Sequence, residues 1–72
     1  MEKKDVKVVN GLVIESLPNT TFKVQVKEMN NKEIIAHLSG KMRMYRIKVV
    51  VGDKVTVELD QYAERGRIVK RL

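Results

Sequence analysis

Apolar and polar residues alternate one by one along most of this chain, the spacing of a half-buried strand. Phe22-Lys23-Val24-Gln25-Val26-Lys27 alternates strictly, and so does Lys54-Val55-Thr56-Val57-Glu58-Leu59. Each predicts a strand with an apolar inner face and a polar outer one. Glu33 to Leu38 places Ile34, Ala36 and Leu38 on one face and Ile35 and His37 on the other. Phe22 shares the apolar parity of its strand and is expected in the core. Val6 to Ser16 is a long β-rich run interrupted by Asn10-Gly11. A Gly there suggests a bulge or bend, letting one strand serve two sheets. Arg67-Ile68-Val69-Lys70 reads as a short last strand, its inward face ambiguous because Ile68 and Val69 point opposite ways.

The punctuation agrees. Leu17-Pro18-Asn19-Thr20 is a turn, Glu28 to Lys32 a polar loop, and Gly52-Asp53 a turn before the fourth strand. Ser39 to Met44 breaks the alternation, and Ser39 is placed to cap a single helical turn there. The order is long bent strand, strand, strand, short helix, strand, strand. We therefore expect an all-β chain: a five-stranded OB-fold barrel with one short helix between strands three and four. An SH3-like barrel is the rival, and it needs no helix at that position.

Size and charge narrow the function. The 72 residues fit one domain, with residues 1–5 expected as a mobile N-terminus. A chain this short buries only about 60% of its unfolded surface. It has no Cys, hence no disulfide staple and no thiolate metal site. No apolar stretch approaches the roughly 20 residues of a transmembrane helix. The charged start, Met1-Glu2-Lys3-Lys4-Asp5, lacks the apolar region of a signal peptide, so a cytoplasmic location is expected.

The net charge of +6 is unevenly spread. Lys41, Arg43, Arg46 and Lys48 fall in one acid-free run, and Arg65, Arg67, Lys70 and Arg71 in another. The rest of the chain holds 7 cations against 9 acids. Two short segments thus supply all the excess positive charge, the footprint of a polyanion-binding face. The bland alternative is a solvated surface that keeps a small protein soluble.

Catalysis lacks its parts. A nucleophile needs a base within reach, and His37 is the only histidine. Ser16 and Ser39 lie near turns, where a hydroxyl bonds to backbone. There is no Gly-rich phosphate loop, His pair or acidic metal cluster. We read a binding protein, not an enzyme, with no cofactor and no metal.

In Lys41 to Lys48 four cations surround Tyr45, which suits phosphate neutralisation with an aromatic to stack on a base or ribose. Met42 and Met44 are expected as core fillers beneath that segment. Arg65-Gly66-Arg67 sets a Gly between two guanidiniums, so that a backbone can come close and Arg can grip phosphate. Lys70 and Arg71 extend the patch to the C-terminus, and His37 is expected to face outward on the third strand, either as a base or phosphate contact or as a plain exposed strand residue. The aromatics are only Phe22, Tyr45 and Tyr62. A binder of loose single strands offers more stacking platforms. Recognition of structured RNA by shape and charge is therefore expected over a general RNA chaperone of the cold-shock type.

Four stretches in order carry a resemblance to a known family. They are Glu15-Ser16-Leu17-Pro18-Asn19-Thr20-Thr21-Phe22-Lys23-Val24, Ala36-His37-Leu38-Ser39-Gly40-Lys41-Met42-Arg43, Gly52-Asp53-Lys54-Val55 and Arg65-Gly66-Arg67-Ile68. With them, from about Val6 to Arg71, the chain resembles bacterial and plastid translation initiation factor one. The resemblance implies an OB-fold protein that binds the small ribosomal subunit at the aminoacyl-tRNA site. There it would touch ribosomal RNA and a neighbouring ribosomal protein, exclude elongator tRNA, and support the other two initiation factors in selecting initiator tRNA. The family's RNA-facing motif falls on His37, Ser39, Gly40, Lys41, Met42 and Arg43. Its C-terminal basic motif falls on Arg65, Gly66, Arg67 and the cation at Lys70 or Arg71. Met44-Tyr45-Arg46-Ile47-Lys48 departs from the family pattern by shifting the aromatic and placing Arg46 where it stood. The loop at Glu28–Lys32 looks longer than usual, and the turn from Tyr62 to Gly66 shorter. A monomer is expected, since no long apolar stretch is left over once the core is filled, with an exposed edge strand still able to pair in the absence of RNA.

Overall fold

Phe22, Val24 and Val26 turn inward while Thr21, Lys23 and Gln25 lie half exposed, as their alternation requires. The same division holds in the other regular strands: Ile34, Ala36 and Leu38 are buried, and so are Val55, Val57 and Leu59. The computed structural model describes residues 7–60 and 65–72. The expectations for residues 1–5, for Tyr62 and for the length of the turn before Gly66 fall on or across residues outside that set.

The elements are β1 (Lys7–Leu17), β2 (Thr21–Val26), β3 (Lys32–Leu38), α1 (Gly40–Met44), β4 (Lys54–Leu59) and β5 (Arg65–Arg71), with a 3₁₀ turn at Lys27–Met29. The strands close into a barrel in the order β1-β2-β3-β5-β4. All neighbours are antiparallel except β3 and β5, which run parallel. This is the expected five-stranded OB-fold barrel, with α1 between β3 and β4. Each of these strands has a neighbour on both sides, so among the described residues none ends the sheet as an edge strand, although β1 divides its length between its two neighbours. Among the same residues no helix is long and apolar enough to cross a membrane.

β1 does serve two neighbours: Lys7 to Leu12 pair with β4, and Leu12 to Leu17 pair with β2. The irregularity sits further along than Asn10-Gly11. Val13 and Glu15 face consecutive residues of β2, so Ile14 is the extra residue of the bulge. Gly11 has a different task. A Cβ there would lie 2.4 Å from Val24 Cγ1 and 3.0 Å from the main-chain oxygen of Gln25. It lets β1 and β2 approach where the barrel wall curves.

A second bulge settles the inward face of β5. Val57 faces Ile68 and Thr56 faces Lys70, which leaves Val69 unpaired with β4. Ile68 is fully buried and Val69 half buried, and the strand is exposed again from Lys70.

Met42 and Val49 complete the core from the segment between β3 and β4, and Met29 packs against it from the otherwise polar loop at Glu28–Lys32. Met44 corrects the reading of both methionines as core fillers, because it is 72% exposed. A helix of five residues presents barely one turn, and only Met42 falls on its inner side.

Candidate nucleic-acid interface

α1 is held at both ends by identifiable bonds. Ser39 is the N-cap: its Oγ accepts from the Met42 amide at 3.2 Å and its main-chain oxygen from the Arg43 amide at 3.1 Å. Its own amide donates to the Ile68 main-chain oxygen at 2.9 Å, joining the helix start to β5. At the other end the Arg46 amide donates to the Arg43 main-chain oxygen at 3.1 Å and the Ile47 amide to that of Met42 at 2.9 Å. These are the two bonds of a Schellman motif. Its left-handed position, usually Gly, is held by Arg46 at φ 53°.

The segment that follows is tied down in turn. Arg71 Nη1 donates to the main-chain oxygen of Lys48 at 3.0 Å. The Val50 amide donates to Asp53 Oδ2 at 2.9 Å, and the Asp53 amide to the Val50 main-chain oxygen at 3.0 Å. Gly52 makes that turn with φ 101°, a conformation open to Gly at no steric cost. Its amide reaches the main-chain oxygen of Val13 at 2.8 Å.

Two basic segments far apart in sequence thereby meet. His37 on β3 stands opposite Arg67 on β5, and Arg67 stands opposite Glu58 on β4. Lys41, Arg43, Arg46, Lys48, Arg65, Arg67, Lys70 and Arg71 are all exposed, as are His37, Gly40 and Tyr45. A Cβ on Gly40 would meet nothing within 4 Å, so the surface above it is open. Beside the His37–Arg67 pair lies a depression of about 360 Å³, lined by His37, Glu58, Leu59, Asp60, Arg65, Gly66 and Arg67.

Three residues of the expected site are not on this surface. Ser39 is 8% exposed, with its hydroxyl used as the cap. Met42 is 2% exposed and faces the core. Gly66 is buried, and a Cβ there would lie 2.3 Å from Val57 Cγ1. These three set the positions of their neighbours and offer no side-chain surface of their own. Gly66 does let a backbone come close, but that backbone is β4 of the same barrel.

Glu58 was missed by sequence reading. Its place on the polar face of β4 was visible, but its partner on the adjacent strand β5 was not. Arg67 Nη2 donates to Glu58 Oε1 at 2.6 Å, so an acid sits within the cationic surface. Lys23, by contrast, forms its ion pairs on β1 to β3, facing Glu15 at 3.4 Å and Glu33 at 3.8 Å. The arrangement can hold a phosphate backbone along α1 and β5, with Tyr45, 65% exposed, available for stacking.

Comparison with known proteins completes the picture. Residues 1–72 match the family model described as translation initiation factor 1A / IF-1. The solution structure of translation initiation factor one from the Wolbachia endosymbiont strain TRS of Brugia malayi is similar, with a TM-score of 0.75 and 40% identity. That match covers 93% of this chain and 78% of the other. YjeQ from Thermotoga maritima contains a similar barrel, with a TM-score of 0.76 and 27% identity over 92% of this chain but 23% of that one.

Proposed function

This chain belongs to the translation initiation factor 1A / IF-1 family, and on that footing we propose that its basic face binds ribosomal RNA at the aminoacyl-tRNA site of the small subunit. Occupying that site excludes elongator tRNA. A neighbouring ribosomal protein and the other two initiation factors complete the contacts through which initiator tRNA is selected. The protein acts in the cytoplasm by occupancy and has no catalytic step of its own. Lys41, Arg43, Arg46 and Lys48 meet phosphates along one side, and Arg65, Arg67 and Lys70 along the other. Gly40 leaves room for close approach, and Tyr45 and His37 offer flat surfaces to a base or ribose.

One observation carries this reading. The bonds from Arg71 to Lys48 and from Ser39 to Ile68 bring the two cationic segments into a single surface. Charges scattered for solubility would need no such joining. The shortage of exposed aromatics favours structured RNA over a loose strand.

The test is binding of labelled protein to purified small subunits, with an unstructured RNA as competitor. Saturable binding that resists the competitor and weakens with Arg43→Ala or Arg67→Ala supports the reading. Both substitutions are at exposed positions and should leave stability within about 0.5 kcal/mol, apart from the ion pair of Arg67. Equal affinity for the unstructured RNA would make the protein a general RNA chaperone instead.

A further inference from the structure

Arg67 meets RNA with its guanidinium already engaged. Its Nη2 lies 2.6 Å from Glu58 Oε1, and the two residues are cross-strand partners on β5 and β4. The side chains are 53% and 32% exposed, so a ligand can reach both. His37 continues the same row on β3, and the depression opens beside all three. Glu58 holds one N–H of the Arg67 guanidinium, which carries others, so a phosphate that takes that N–H displaces the carboxylate and one that takes the others lies beside it. Either way the carboxylate faces an anion and brings no donor of its own, since an ionised Glu only accepts hydrogen bonds.

We propose that Glu58 is a specificity-determining residue of this face: it competes with phosphate for Arg67 and favours RNA that also brings a hydrogen-bond donor to the carboxylate. RNA carries such donors in its 2′-hydroxyls and exocyclic amines. A folded RNA presents phosphate and donor at set positions. A loose strand has to be ordered to do so, at an entropic cost. The pair therefore weakens random phosphate contacts more than contacts with a shaped site. This rests on the function proposed above and names one acid as part of its selectivity.

Glu58→Gln keeps the side-chain shape and removes the negative charge that competes with phosphate, leaving a neutral acceptor in its place. Glu33→Gln is the control, since it removes the same charge from an ion pair on another part of the barrel. Both are measured against oligouridine and against purified small subunits, each with and without Arg67→Ala. Exposed ion pairs contribute up to about 1 kcal/mol, which is about fivefold in affinity. Glu58→Gln should raise oligouridine affinity about three- to fivefold beyond the control, raise subunit affinity less, and lose its extra gain when Arg67 is Ala. A gain no larger than that of Glu33→Gln overturns the proposal. So does a gain that survives without Arg67, or one equally large on subunits and oligouridine. A wild-type protein with no preference for subunits would sink the function proposed above. The coupling of Glu58 to Arg67 on oligouridine would still decide whether the two compete.

Discussion

Arg71 donates through Nη1 to the main-chain oxygen of Lys48 at 3.0 Å, across 23 positions of sequence. The last strand thus holds the cationic segment that follows α1. Arg71 reads in sequence as one more phosphate contact, yet part of its guanidinium is already spent on this tether. Arg71→Lys keeps the charge and loses the planar fork. The expected result is an unchanged salt dependence of subunit binding, affinity about two- to fivefold lower, and faster amide exchange across residues 45–50, given that a typical hydrogen bond contributes about 0.5–1.5 kcal/mol net. Unchanged exchange and unchanged affinity would make Arg71 a plain surface charge.

Arg46 occupies a position that favours Gly. Its φ of 53° closes the Schellman motif, and a left-handed L-residue costs about 1–2 kcal/mol. Arg46→Gly should leave thermal stability unchanged or raise it by up to about 1 kcal/mol, since the greater freedom of Gly in the unfolded chain offsets part of the gain. Subunit binding should fall at the same time. Stability and binding moving together would mean that Arg46 serves the fold and not the face.

The glycines divide by what surrounds them. Gly11→Ala and Gly66→Ala each force a Cβ to within 2.4 Å and 2.3 Å, respectively, of a valine methyl in the barrel wall. Each should cost about 1–3 kcal/mol in chemical denaturation, the usual range for overpacking. Gly40→Ala meets open space and lies in the first turn of a helix, so it should not destabilise. If RNA backbone closes over Gly40, that same substitution weakens subunit binding while the melting temperature holds. Undiminished binding would remove Gly40 from the interface.

Salt dependence reports how many phosphates the face neutralises. With about five contacts, log affinity for the subunit should fall against log salt with a slope of roughly −3.5 to −4.5. Arg43→Ala should make the slope shallower by about one contact's share, roughly 0.7 to 0.9. A slope near zero would point to an apolar, protein-led interface instead.

Much of the barrel was legible because alternation is a local signal. Phe22, Ile34 and Val57 follow their parity into the core, and His37 follows its own outward. Ser39 announced its helix through its position at a break in the alternation, and it does cap that helix. What escaped depends on partners distant in sequence. The extra residues at Ile14 and Val69 are defined only against the strand opposite each. The parallel pairing of β3 with β5 makes neighbours of His37 and Arg67, and no spacing within either strand encodes it. The same holds for Glu58 beside Arg67 and for Arg71 bonded to Lys48. Met44 was misjudged for a local reason: its helix ends too soon to bury a second methionine. The cationic segments were legible as charge, whereas their division into surface residues and buried supports was not.

The closing of β5 between β3 and β4 also sets an order of assembly. β1, β2 and β3 are joined by short turns and can pair as a meander with little loop entropy to lose. β5 must find two partners, and β1 must meet β4 from the far end of the chain. Ser39 can bond to Ile68, and Arg71 to Lys48, only after that step. The non-local pairings, which loop-closure entropy makes the slowest to form, are therefore the ones that join the two basic segments into a single surface. A half-folded chain carries every one of its cations but lacks the geometry that aligns them.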